Sequence, residues 1–183
     1  MCIRDRASPY HVEYQHLVPG MLGWRERPPR TADVTDGLVH TLVAAELRAG
    51  ADERDARGAW AVGWNGASVL AYDMHPASNT GAFRHGWISL GHTQRPNIAD
   101  PAVNVDVLYD CPDPQAAEAA GMPCAAWVES PTFRYLSSAP RSRHPGGVVA
   151  LWGDGHVTFL SDDVDEIGMS YLIAIDDGRR VEP

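Results

Sequence analysis

Gly147-Val148-Val149-Ala150-Leu151-Trp152-Gly153-Asp154-Gly155-His156-Val157-Thr158-Phe159-Leu160 is the stretch on which the fold turns. Two short apolar runs, 147–152 and 156–160, flank Gly153-Asp154-Gly155. Asp-Gly between such runs is a strong signal for a two-residue hairpin, because a type I′ turn needs positive φ at both central positions. The stretch therefore predicts an antiparallel β-hairpin. Beyond it, Ser161, Asp162 and Asp163 offer N-cap side chains. Val164, Ile167, Tyr171 and Ile175 then recur at three- and four-residue spacing, which predicts a short C-terminal helix with one apolar face, ended by Gly178.

Toward the N-terminus the signals weaken. Asp36-Gly37 is a turn dipeptide, and the run from Leu38 to Leu47 fits a strand or a short helix. Its β-branched residues favour a strand beginning near Thr41. Ala59 to Trp64 is a second apolar run, closed by Asn65-Gly66. Residues 72–123, rich in Asn, Asp, Gly and Pro, read as ordered loops with short strands, part of them a candidate insertion. Residues 7–31 read as an irregular lead-in, and 32–183 as a single domain. The expected class is α+β and β-rich: an antiparallel sheet with long loops and a short C-terminal helix.

Composition narrows the function classes. The chain has 183 residues, with 44% hydrophobic and 21% charged residues, within the range of one globular domain. Its 15 basic residues against 24 acidic ones give a formal charge of −9, which repels phosphate backbones and anionic lipid. Nucleic-acid and membrane-surface readers are disfavoured. Every basic residue is Arg, so no Schiff-base or P-loop lysine exists. The longest uncharged run, from Gly58 to Tyr72, falls short of the ~20 apolar residues of a membrane helix. Met1-Cys2-Ile3-Arg4-Asp5-Arg6 reads as a translated cloning adapter (residues 1–6), so the chain is expected to be a fragment of a gene that starts upstream.

Setting Cys2 aside leaves Cys111 and Cys124 around a Pro-rich loop, which reads as a loop-closing disulfide and an extracytoplasmic location. Two unrelated buried thiols are the alternative. No Cys/His spacing supports a zinc site.

The stretch Arg141-Ser142-Arg143-His144-Pro145-Gly146-Gly147, followed by Asp154-Gly155, resembles the C-terminal end of a large bacterial prepilin-like family, that of domain of unknown function 1559. Nine residues separate His144 from Asp154, matching the family's H-X9-DG motif. Asp36, Gly37, Thr41 and Glu46 resemble the family's central Thr-Asp-Gly … Thr … Glu block, and Arg57-Gly58-Ala59-Trp60 its Arg-Gly-x-Trp. Pro96-Asn97, Cys111 and Pro123-Cys124 also fall at familiar places. Val39-His40 departs from the Ser-Asn common there. The resemblance implies a pilin- or pseudopilin-like globular domain whose N-terminal helix is missing. It further implies a non-catalytic structural or assembly role in a type II secretion or type IV pilus-like system or at the cell surface. Partners would be other pilin-like subunits and the prepilin peptidase, with membrane contact only through the absent helix.

His144 and Asp154 have two readings. They form a processing determinant, or they are structural, with His144 bonding backbone at a strand entry, Pro145-Gly146-Gly147 turning the chain and Asp154-Gly155 closing the hairpin. Asp33, Asp36, Asp162, Asp163 and Asp165 are weak calcium candidates, since no Asp-x-Asp-x-Asp-Gly loop is present. His75, His85 and His92 match no metal-enzyme spacing, and no nucleophile elbow occurs. No metal, cofactor or catalytic residue is therefore expected. Trp60, Trp64, Trp87 and Trp127 suit sugar stacking, which makes an extracellular carbohydrate- or solute-binding module the rival reading.

Overall fold

Alternation of apolar and exposed side chains along the hairpin fixes its inner and outer faces. In the computed structural model, which describes residues 21, 29–50, 52–59, 95–97, 106–126, 138–176 and 178, it forms as expected. β4 (Gly147–Trp152) pairs antiparallel with β5 (Val157–Ser161). Val148 and Ala150 face inward opposite Leu160 and Thr158, while Val149 and Leu151 face outward opposite Phe159 and Val157. The turn differs from the two-residue type I′ expectation. Gly155 N–H donates to Trp152 O at 2.9 Å, and among the turn residues only Gly155 has positive φ, at +92°. It is a three-residue loop closed by one left-handed glycine, so a single Gly suffices.

β1 (Leu42–Ala45) adds to β4 antiparallel, giving the order β1-β4-β5. A 3-10 turn at Leu38–His40 precedes it, so the strand begins one residue after Thr41. Leu42 and Ala45 are both buried although three residues apart. A period of two cannot place both inward, and the register indeed slips between Leu42 and Ala44. The extra residue is a β-bulge that keeps Leu42 opposite Trp152 and Ala45 opposite Ala150.

α2 (Glu166–Ile173) closes the inner face of the sheet. Its cap is Asp165, whose Oδ1 accepts from Gly168 N–H at 2.8 Å, and not Asp162 or Asp163. The helix is shorter than 164–175 and ends before Gly178. Met169, Leu172 and Ile173 pack with Leu42, Val148, Trp152 and Leu160, with half-buried Val164 at the margin. Tyr171 is only half-buried, so the apolar face is rotated from the expected one. Ile175 is buried beyond the helix end.

The described part of 72–123 holds a unit that turn residues do not announce. β2 (Asp106–Leu108) and β3 (Cys124–Ala126) pair in parallel. Parallel strands need a crossover, and residues 109–123 supply it with α1 (Pro114–Ala119). Asp113 caps that helix through Ala116 N–H at 2.9 Å, and Pro114 fills its first turn, where no N–H is required. A disulfide joins Cys111 to Cys124 with Cα atoms 5.9 Å apart, and both sulfurs are buried against Leu108 and Ala117. Most of the Ala59–Trp64 run, together with Trp87, Trp127, His75, His85 and His92, lies outside the described residues.

Among the described residues no helix is long and apolar enough to cross a membrane.

Candidate functional site

The residues quoted from the prepilin-like resemblance separate into two places. Asp36 is buried and its Oδ1 accepts from Gly178 N–H at 2.8 Å, while Thr35 and Asp36 N–H both reach Ile175 O. This ties the entry of β1 to the chain leaving α2. Gly37 has φ +100°, and fully buried Thr41 donates its hydroxyl to Gly37 O at 3.0 Å. The Asp-Gly … Thr block is thus a backbone clasp.

Glu46 reaches the other place. One carboxylate oxygen accepts Val149 N–H at 2.8 Å, and the other lies 3.4 Å from His144 Nε2. The His144 ring is exposed and meets Phe159 edge-on at 6.4 Å. Its ring therefore faces Glu46, and only its backbone N–H, donated to Ser142 Oγ at 3.0 Å, serves the turn. Pro145, Gly146 and Gly147 do turn the chain into β4, Gly146 with φ +86°. A Cβ on Gly147 would stand 2.2 Å from Leu160 O, so this position admits only glycine beside β5. Asp154 accepts from His156 N–H and contacts its ring, which together hold its carboxyl below the usual carboxylate range. His144 and Asp154 flank the two ends of β4, a run of about 20 Å at the rise of a strand. The nine-residue spacing is the length of a strand with its flanks, and the two side chains form no joint site.

Asn97 organises the His144 turn from outside it. With φ +51° it donates through Nδ2 to Gly147 O and to Asp162 Oδ1, both at 3.0 Å, and accepts Ser142 N–H at 2.7 Å. Asp162 is occupied there; burial pushes its carboxyl up despite that bond. Of the other calcium candidates, Asp33 binds Arg30 N–H, Asp36 binds Gly178 N–H and Asp165 caps α2. Among the described residues no group of three or more His, Cys, Asp or Glu gathers to hold a metal ion.

The densest polar cluster was not singled out from sequence. Asp106, wholly buried, accepts from Arg141 Nε and Nη2 at 3.0 Å, from Arg57 Nη1 at 2.9 Å and from Ala139 N–H at 2.9 Å. Burial pushes its carboxyl up, but the charge and hydrogen bonds of Arg141 and the charge of Arg57 outweigh this and hold it below the usual range. Arg57 also binds Asp55 at 2.6 Å and Met122 O at 2.6 Å. The available signal was an acidic residue inside the apolar run Val105-Asp106-Val107-Leu108. Two buried carboxylates face two buried guanidiniums, with the disulfide alongside through β3, which pairs Cys124 with Asp106. No nucleophile stands among these groups; each locks backbone or a counter-charge.

Cleaving the Cys111–Cys124 bridge, by reduction or by replacing both residues with alanine, is expected to cost about 3 kcal/mol for a loop of this length. Urea titration followed by tryptophan fluorescence, with and without reductant, measures the shift. An unchanged midpoint would show that the ion cluster alone holds the crossover.

No curated protein and no solved structure matches the chain. The family described as protein of unknown function (DUF1559) matches residues 6–166. The match spans most of the chain, and the chain belongs to the DUF1559 family.

Proposed function

We propose that this chain is a non-catalytic, exported, pseudopilin-like protein with a structural or assembly role outside the cytosol. The observation that carries the reading is the outer face of the sheet. Val149, Leu151, Val157 and Phe159 stand exposed there as two cross-strand pairs, Val157 at 60%. Contiguous exposed apolar surface suits a subunit that packs against others. The buried disulfide supports a compartment that keeps cystines oxidised. Other pilin-like subunits would cover the face, and the prepilin peptidase would process the full-length precursor.

Deleting the prepilin peptidase in the source bacterium tests this. The protein is expected to accumulate as a slower-migrating precursor retained with the cell membrane; unchanged mobility and location would sink the reading. Within the same assay, Leu151→Glu with Val157→Glu is expected to leave processing intact and to lower the fraction recovered in high-mass assemblies.

A further inference from the structure

We propose that the outer edge of β5 is an interaction surface for a second copy of this chain, joined strand to strand about a two-fold axis at Phe159. β5 ends the sheet order β1-β4-β5. Its bonds to β4 fix which of its backbone groups are engaged. Trp152 N–H donates to His156 O at 3.0 Å, and Asp162 N–H to Gly146 O at 2.9 Å. Antiparallel pairing alternates bonded with non-bonded pairs, so His156, Thr158, Leu160 and Asp162 turn their backbone groups toward β4. Val157, Phe159 and Ser161 turn theirs away. Ser161 O accepts Val164 N–H at 3.3 Å; among the described residues no strand takes up the other outward groups. Sheets commonly blunt such an edge with a charge, a proline or a bulge. β1, at the opposite edge, carries a bulge between Leu42 and Ala44. β5, Val157-Thr158-Phe159-Leu160-Ser161, carries none of the three, and Val157 and Phe159 stand exposed along it.

The strand complements itself in antiparallel register. Centring the pair on Phe159 uses every outward-facing residue. Phe159 then lies opposite the partner's Phe159, and the two exchange both N–H···O bonds. Ser161 N–H donates to the carbonyl of the partner's Val157, and the reciprocal bond uses the second lone pair of Ser161 O. The strand ends set the direction. Antiparallel pairing brings His156 across from the partner's Asp162, a ring nitrogen against a carboxylate. Parallel pairing in register would set Asp162 and Asp163 beside their own copies, in a chain already at −9. The antiparallel pair also merges the exposed Val157 and Phe159 of both copies into one apolar strip, which withdraws surface from water that neither copy covers alone. The edge is distinct from the outer face of β4, and the pairing needs neither export nor processing.

Sedimentation equilibrium of the purified chain over a concentration series tests the pairing, and a reversible monomer–dimer equilibrium is expected. Phe159→Pro removes both N–H groups at the axis but none that bonds β4, and edge strands admit proline at such a position. It is expected to weaken the dimer about tenfold or more. Leu151→Glu, on the same outer face but in β4, is expected to dimerise as the parent does. Far-UV circular dichroism verifies that each variant is folded. If Phe159→Pro misfolds, Phe159→Cys in a Cys2→Ser background decides. Its paired Cα atoms would stand about 5.5 Å apart, within disulfide reach, so air oxidation is expected to give a covalent dimer, and Val149→Cys in the same background none. A parent that stays monomeric throughout the series would overturn the proposal. So would a Phe159→Pro chain that associates as tightly as the parent, a Leu151→Glu chain that loses as much, or a Phe159→Cys chain that forms no covalent dimer. The purified chain meets no prepilin peptidase, so a missing dimer leaves the pseudopilin-like reading standing, and unaltered processing in the peptidase deletion leaves the dimer standing.

Discussion

Asp106→Ala is expected to lower the stability of this domain by about 3–5 kcal/mol, close to the whole margin of a small protein. The wild-type carboxylate is fully buried and takes four hydrogen bonds, three of them from guanidinium groups. Truncating it takes from buried Arg141 the carboxylate that accepts its Nε and Nη2, and from Arg57 one of its two carboxylate partners. It also orphans Ala139 N–H, and with it the link between β2 and the segment leading into β4. Urea denaturation gives the number, and Asp106→Asn separates charge from shape. Asparagine can still accept the Ala139 bond, so the isostere should lose less than alanine. A midpoint in Asp106→Ala within about 1 kcal/mol of the parent would mean that water reaches the two arginines.

The same carboxylate makes stability depend on pH. Its folded pKa lies below the unfolded value, near 3.9 for a free Asp, so the unfolded chain binds the proton more readily. The stability that Asp106 contributes is thus complete above about pH 4 and is lost as pH falls through the lower, folded value. Acid unfolding followed by fluorescence should show this limb in the parent and a flatter one in Asp106→Asn.

What the sequence discloses and what it hides follow from the range of the interactions. The β4–β5 hairpin is local: alternation sets its faces and one glycine closes its turn, so it reads directly from 147–160. The Cys111–Cys124 bridge is legible because only two cysteines remain once Cys2 is set aside. α2 is legible as a helix but not in phase. Asp162, one of the three cap candidates, is drawn off by Asn97, 65 residues earlier, and the cap is Asp165. The Asp106 cluster is harder still. Arg57 and Arg141 enter only through the family resemblance, and nothing local in the sequence joins them to Asp106, which lies 49 and 35 positions away along the chain. The His144 to Asp154 spacing leaves two readings open, a processing determinant or a structural pair; an extended strand holds the two residues at its opposite ends.

Trp152→Ala is expected to be the other severe substitution, at about 3–5 kcal/mol. Trp152 is 1% exposed within the core, paired across the sheet with Leu42 of β1. Its Nε1–H donates to Thr158 Oγ1 at 2.7 Å, and its ring stacks on His156 with centroids 5.6 Å apart. Alanine would leave a cavity among Leu42, Leu160 and the helix residues Met169 and Leu172. It would also strip the turn of the ring on which His156 lies. Trp152→Phe isolates the polar part. It keeps most of the apolar volume, removes the bond to Thr158, and should cost nearer 1 kcal/mol for the bond, plus a small packing loss. Thermal unfolding of the two variants gives the ratio. If Phe proved as damaging as Ala, the hydrogen bond to Thr158 and not the volume of the ring would be what seats the hairpin on the core, and Thr158→Val should then reproduce the loss with the tryptophan still in place.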